Sequence, residues 1–152
     1  DYFHRLLELS GGELTHVKAH GALYNDLAKN QELAEWFCNS VADYSSALQL
    51  VVPAASRFYT IATRKGFVCL QEAFLDRQYE DDLSLSSRGQ AGAVITDQKK
   101  ALLQLKQLLE TNTVTTINGK IKPIKADTIC IHSDSPNALT LVEAAYQSKL
   151  LW

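Results

Sequence analysis

Short strand-like runs at residues 14–20, 48–52, 67–74 and 128–132 alternate along this chain with segments whose apolar residues recur at helical spacing. That alternation constrains the fold most, because a strand followed by a helix and another strand closes on itself as a right-handed βαβ unit around a parallel sheet. Residues 2–10 open the chain with Phe3, Leu6 and Leu7 on one helical stripe and stop at Gly11-Gly12. Asn30 caps a helix to residue 44 with Leu33, Trp36, Phe37, Val41 and Tyr44 as its stripe. Residues 54–65 form a helix closed by Gly66. A helix over 97–109 takes Thr96 as its cap and faces Ala101, Leu102, Leu105, Leu108 and Leu109 to the core. A last helix begins at Ser135-Pro136, with Leu139, Val142 and Tyr146 buried.

Two segments break the alternation. Residues 113–117 and 120–124 flank Asn118-Gly119, whose tolerance of positive φ suits a type I′ hairpin, and the pattern reads as a surface appendage. Residues 75–93 are rich in charge, Ser and Gly and show neither period, so they read as a long loop of the kind that serves as a lid or clamp.

Four core strands are fewer than a closed (β/α) barrel of about 250 residues requires. The expectation is one α/β domain over residues 1–152, either a small open sheet or part of a larger barrel, and a first helix without a cap favours the second. The size and balance suit such a domain: 152 residues, 46% hydrophobic and 21% charged. A formal net charge of −2 and no basic block with interleaved aromatics argue against nucleic acid as a partner. No apolar run reaches the roughly 18 residues of a membrane span, and the first residues lack the pattern of a signal peptide. Cys38, Cys69 and Cys130 are odd in number, far apart and set among apolar residues, as expected of reduced thiols in the cytoplasm.

The first strand is the polar one. Period-two alternation sets His16, Lys18 and His20 on one face, and Gly21 then permits a sharp change of direction before Tyr24 and Asn25. The last strand repeats the pattern, with Thr128, Cys130, His132 and Asp134 sharing a parity. Ligands of parallel α/β folds bind at the carboxyl ends of strands, so Lys18, His20, Glu72, His132 and Asp134 are expected to converge on one cavity. Each has a bland alternative: a solvated lysine, hydrogen-bonded histidines on an edge strand, or an Asp134 favoured only by the dipole of the following helix. Asp76 and Arg77 read equally as a structural ion pair, and Arg88, beside Gly89 and Gly92, as a clamp for carboxylate or phosphate or as a solvated loop residue. No Walker-type loop and no Gly-x-Ser-x-Gly elbow occurs.

Four stretches carry a family resemblance: His16-Val17-Lys18-Ala19-His20-Gly21-Ala22-Leu23-Tyr24-Asn25, Glu72-Ala73-Phe74-Leu75-Asp76-Arg77-Gln78-Tyr79, Ser87-Arg88-Gly89-Gln90-Ala91-Gly92-Ala93-Val94-Ile95 and Ala126-Asp127-Thr128-Ile129-Cys130-Ile131-His132-Ser133-Asp134. In content and order they resemble signature stretches of the LamB/YcsF family, that of the A subunits of bacterial 5-oxoprolinase. Ala19 and Ala91 stand where the family usually has proline, and Ser133 where it commonly has glycine.

The resemblance implies a distorted seven-stranded (β/α) barrel of the glycoside hydrolase/deacetylase superfamily, with further strands upstream of this sequence. It also implies ATP-dependent opening of 5-oxoproline to glutamate together with separate B and C subunits. Lys18, His20, Glu72, His132 and Asp134 are then the expected catalytic residues, and Tyr24, Asn25, Asp76, Arg77 and Arg88 those that hold substrate or phosphate. Within that reading Lys18 and Arg88 stabilise charge, and His20, His132 or Glu72 handles protons. Magnesium accompanying ATP, or a metal held by His20, His132 and Asp134, stays open. Two other readings compete: a stand-alone metal-dependent hydrolase or deacetylase acting on a carbohydrate or amide, and a non-catalytic partner subunit.

Overall fold

The computed structural model describes residues 2–148 and 150, with residues 2–4 described in backbone only. In chain order its elements are α1 (Tyr2–Ser10), β1 (His16–Lys18), α2 (Gly21–Lys29), α3 (Gln31–Tyr44), β2 (Gln49–Pro53), α4 (Arg57–Arg64), β3 (Cys69–Phe74), α5 (Gln98–Lys106) with a π-helical turn (Gln107–Thr111), β4 (Thr113–Thr115), β5 (Ile121–Pro123), β6 (Thr128–Cys130) and α6 (Ala138–Gln147). The α1 helix spans the expected residues; Leu6 is exposed, and the Phe3 side chain lies outside the described residues.

Strands β1, β2, β3 and β6 form one all-parallel sheet in that spatial order, with Val17 opposite Leu50, Val52 opposite Gln71 and Glu72 opposite Thr128. The order places β3 inside the sheet, between β2 and β6, so both of its edges are paired. Its last four residues, from Gln71 to Phe74, are buried. The helices cover the sheet as the alternation requires. Leu27, Ala34, Cys38, Leu50, Val52, Phe58 and Ala62 form one core between α2, α3, α4 and the sheet. Asn30 and Ser56 cap α3 and α4 by accepting from the Leu33 and Tyr59 amides.

Several expectations change, among them the packing of Trp36, Tyr44 and Leu109, which are exposed. The cap of α5 is Asp97 rather than Thr96: the helix starts one residue later, and the Asp97 carboxylate accepts from the Lys100 amide in its first turn. Helix α6 begins at Ala138 rather than at Ser135-Pro136, and it buries Leu141, Ala144 and Ala145. Leu139, Val142 and Tyr146 stay exposed because the alanine face lets α6 approach Ala101 and Leu105 of α5 closely. The Asn118-Gly119 hairpin forms in the expected register, Thr115 opposite Ile121, yet it is no appendage. Val114 and Ile124 are enclosed with Ala54, Ala73, Tyr79 and Leu108 in a second core.

The long loop after β3 is equally built in. Leu75, Asp76, Arg77, Tyr79 and Ser86 are buried, and amide bonds from Gln78 to Ala93, Ser86 to Gln78 and Ile95 to Asp76 tie it to itself and to the start of α5. Its charged residues do not exclude it from the interior, because backbone and side-chain partners satisfy most of them there.

Candidate functional site

Where β1 ends, His20 holds an extended backbone and Gly21 takes φ of +62°, a left-handed value that turns the strand directly into α2. That turn leaves Lys18 on the sheet and swings Tyr24 and Asn25 over it one helical turn later. Lys18 Nζ donates to Glu72 Oε1 at 2.5 Å, bridging from the edge strand to the buried carboxyl end of β3, and lies 5.7 Å from the centroid of the Tyr24 ring. Cys130 Sγ, at the end of β6, is 3.8 Å from the same ammonium. Burial first, then the Glu72 charge, pushes the Cys130 thiol up, with Lys18 opposing.

Beyond β6, His132 is gripped by Asp76. The His132 backbone amide donates to Asp76 Oδ2 at 3.1 Å, and its Nδ1 lies 2.9 Å from Oδ1. Ser135 also donates to Asp76, which is completely buried. The imidazole stacks on Phe74 with centroids 5.2 Å apart, and Tyr24 meets Phe74 edge-on at 5.8 Å. A carboxylate that fixes one ring nitrogen leaves the other, Nε2, to face the cavity in a set orientation.

Arg88 donates to Asp134 from both terminal nitrogens, at 2.7 and 3.4 Å. That hydrogen bond holds the Asp134 carboxyl below the usual carboxylate range and raises Arg88. Arg77 is buried, with Nη2 donating to the Ser86 carbonyl. Its backbone is clamped by the buried Gln104 amide, which donates to the Phe74 and Arg77 carbonyls at 2.7 and 2.9 Å.

These groups line two adjoining cavities. One of about 580 Å³ is bounded by Lys18, His20, Tyr24, Asn25, Arg77, Arg88, Cys130, His132 and Asp134. The other, of about 730 Å³, adds Glu72, Ser86 and the turn after β2, and shares Tyr24, Asn25, Phe74, Arg77 and Arg88 with the first. Ala55 and Leu83, non-glycine residues at φ of +59° and +67°, sit in the wall of the second. Strain of this kind persists where the surroundings impose it, often at ligand sites.

Of the ten residues singled out from the sequence, nine therefore line the joined cavities, and Asp76 stands behind one of them. The Asp76–Arg77 ion pair does not form: the two side chains point to different partners, His132 and Ser86. His20 and Asn25 stay at the exposed rim, and His16 leaves the set, its imidazole bonding Thr15 instead. Of the trio His20, His132 and Asp134, Asp134 bonds Arg88 and His132 holds Asp76 through Nδ1. Among the described residues no group of three or more His, Cys, Asp or Glu side chains is placed to hold a metal ion.

Sequence reasoning missed Ser86, Gln104, Ser135 and Tyr79. Tyr79 accepts from the Phe74 amide through its hydroxyl at 2.8 Å, and burial pushes its phenol up. Gln104 lies between Leu103 and Leu105 in a periodic helix, while Tyr79, Ser86 and Ser135 lie in stretches without periodicity, so no local signal marks the four as a group. Burial likewise raises the Tyr24 phenol, followed by the effect of Glu72.

A model of the LamB/YcsF family matches residues 1–150. The chain is 41% identical over 133 residues to the A subunit of 5-oxoprolinase from Clostridium beijerinckii, covering 88% of this chain and 52% of that protein. It is 38% identical over 148 residues to the protein of the same name in Thermococcus onnurineus, covering 97% and 57%. A crystal structure of the lactam utilization protein from Thermus thermophilus superposes with a TM-score of 0.83 at 31% identity, over 95% of this chain and 59% of that one. The chain thus spans a little over half the length of the relatives it matches.

Proposed function

The chain belongs to the LamB/YcsF family, and on that premise we propose that it serves the ATP-dependent opening of 5-oxoproline to glutamate as part of an A-type subunit working with B- and C-type partners. The observation that carries the reading is the meeting, at the carboxyl end of one parallel sheet, of the Lys18–Glu72 pair with the Asp76–His132 pair. The names of the relatives supply the substrate, and their designation as A subunits implies an assembly.

An unstrained lactam is a weak electrophile, and ATP supplies the phosphoryl group that would activate its oxygen. This chain's residues contribute position and charge. Lys18 faces the anion that develops on the amide oxygen, its ammonium held in place by Glu72. His132, oriented through Nδ1 by Asp76, moves a proton at Nε2, to the departing ring nitrogen or from attacking water. Phe74 and Tyr24 pack over this centre and limit water around it. The sheet's outer edges, on β1 and β6, are unpaired among the described residues. We extend the proposal to a barrel of the glycoside hydrolase/deacetylase type that continues from those edges in a family-length subunit.

The test is glutamate release by a family-length subunit carrying this chain, combined with B- and C-type subunits. Release should require both 5-oxoproline and ATP. Absence of 5-oxoproline-dependent ATP hydrolysis in the wild-type complex overturns the reading.

A further inference from the structure

We propose that Arg77 and Ser86 form an anion subsite that takes the carboxylate of the lactam substrate, apart from the groups that act on its amide; the substrate's identity rests on the functional reading above. Arg77 is 5% exposed and Ser86 fully enclosed. Among the described residues the Arg77 guanidinium donates one hydrogen bond, to a neutral backbone carbonyl, that of Ser86. Among the described residues no carboxylate pairs with it. Asp76, its neighbour in sequence, spends both oxygens on His132 and Ser135. Asp134 is taken by Arg88.

A guanidinium removed from water with no carboxylate in contact is costly to keep. Burial first, then the nearby Arg88 charge, lowers the Arg77 pKa, with the Asp76 and Asp134 charges opposing in part. Two atoms mark where the missing partner belongs. Arg77 Nε and Ser86 Oγ are both buried without a hydrogen-bond partner, and both residues line the larger cavity. The other two such atoms, Tyr24 Oη and Glu72 Oε2, belong to the same cavity's wall.

The chemistry of the set selects the ligand. An Nε–H and a hydroxyl on two residues already joined by a hydrogen bond offer two donors, a number that suits a small planar anion such as a carboxylate. Lys18 and Arg88 are already paired with Glu72 and Asp134, which leaves Arg77 as the buried cation of the set with no ion pair among the described residues. The Gln104 clamp on the Arg77 carbonyl fixes the subsite relative to the end of β3.

Binding of 5-oxo-L-proline, of pyrrolidin-2-one, which is the same ring without the carboxylate, and of inorganic phosphate is measured by calorimetry on the family-length protein, wild type, Ser86→Ala and Arg77→Lys. Arg77→Lys keeps the charge and loses the planar fork, and Ser86→Ala removes one oxygen from a small side chain, so folding is preserved and checked by thermal melts. Wild type should prefer 5-oxo-L-proline over pyrrolidin-2-one by about tenfold or more, and each variant should erase most of that preference. Equal affinity for the two lactams in wild type, or an unchanged preference in both variants, overturns the subsite. Phosphate bound by wild type and lost in the variants, with the preference for 5-oxo-L-proline intact, assigns the subsite to phosphate and overturns the carboxylate assignment. A wild-type complex that releases no glutamate, while this protein still shows the Arg77-dependent preference, sinks the functional reading and leaves the subsite standing.

Discussion

Lys18 and Glu72 are the residue pair on which the centre of the site depends, and their coupling changes what a substitution at Lys18 should do. From sequence alone Lys18 reads as a solvated lysine or as a cation facing a polar cavity, in either case without a named partner. With Glu72 5% exposed and bonded to it, removing the lysine instead strands a carboxylate in the interior. Lys18→Ala should therefore lower stability by about 2 kcal/mol while abolishing turnover, whereas Lys18→Met with Glu72→Gln should regain the stability and stay inactive. Chemical denaturation beside glutamate release checks both; a double variant as unstable as Lys18→Ala would exclude the coupling. Arg88 and Asp134 test the rim. Because the Arg88 bond depresses the folded-state pKa of Asp134, the pair contributes above the carboxyl's unfolded value and is lost only as pH falls through the lower folded value. Arg88→Gln should move the Asp134 carboxyl titration, followed by NMR, upward toward the ordinary range.

At the scale of elements, the hairpin of β4 and β5 is where pattern and packing diverge most. Its Asn-Gly turn is a local instruction that the backbone obeys, with Gly119 at φ of +79°. What that turn cannot encode is the partner of its inner face, and Val114 and Ile124 close over Ala73 of β3 and Tyr79 of the long loop. Ile124→Ala should cost about 2–4 kcal/mol, the range for truncating an enclosed isoleucine, where an appendage would lose well under ~1 kcal/mol. Thermal and urea unfolding decide between them. Helix α6 teaches the same lesson in reverse: its bulky stripe is exposed and its alanines are buried, because the spacing to α5 rewards small side chains.

Over the whole molecule, the loop between β3 and α5 behaves as part of the core. The amides of Gln78, Ser86 and Ile95 should exchange with the slow class formed by β2 and β3, while those between Ser87 and Gly92 exchange faster. Uniformly fast exchange through the loop would restore the idea of a mobile lid. None of the helices among the described residues is long and apolar enough to cross a membrane. The alternation of strand and helix, the Asn30 cap, the Gly21 turn and the polar parity of the first and last strands were all legible in sequence, because each depends on residues within a few positions of one another. Lys18, His20, Glu72, His132 and Asp134 of the cavity wall could be named in advance for the same reason, since strand ends carry them and parity sorts them, whereas Tyr24, Asn25 and Arg77 were named through the family resemblance. The pairings were decided only by the tertiary structure. Whether Asp76 meets Arg77 or His132, 56 positions away, whether Lys18 is solvated or neutralised by Glu72, 54 away, and whether Ser86 shares a cavity with Arg77 depend on the order and register of parallel strands. That order is set by how helices and loop pack on the sheet as a whole, which no local window of residues contains.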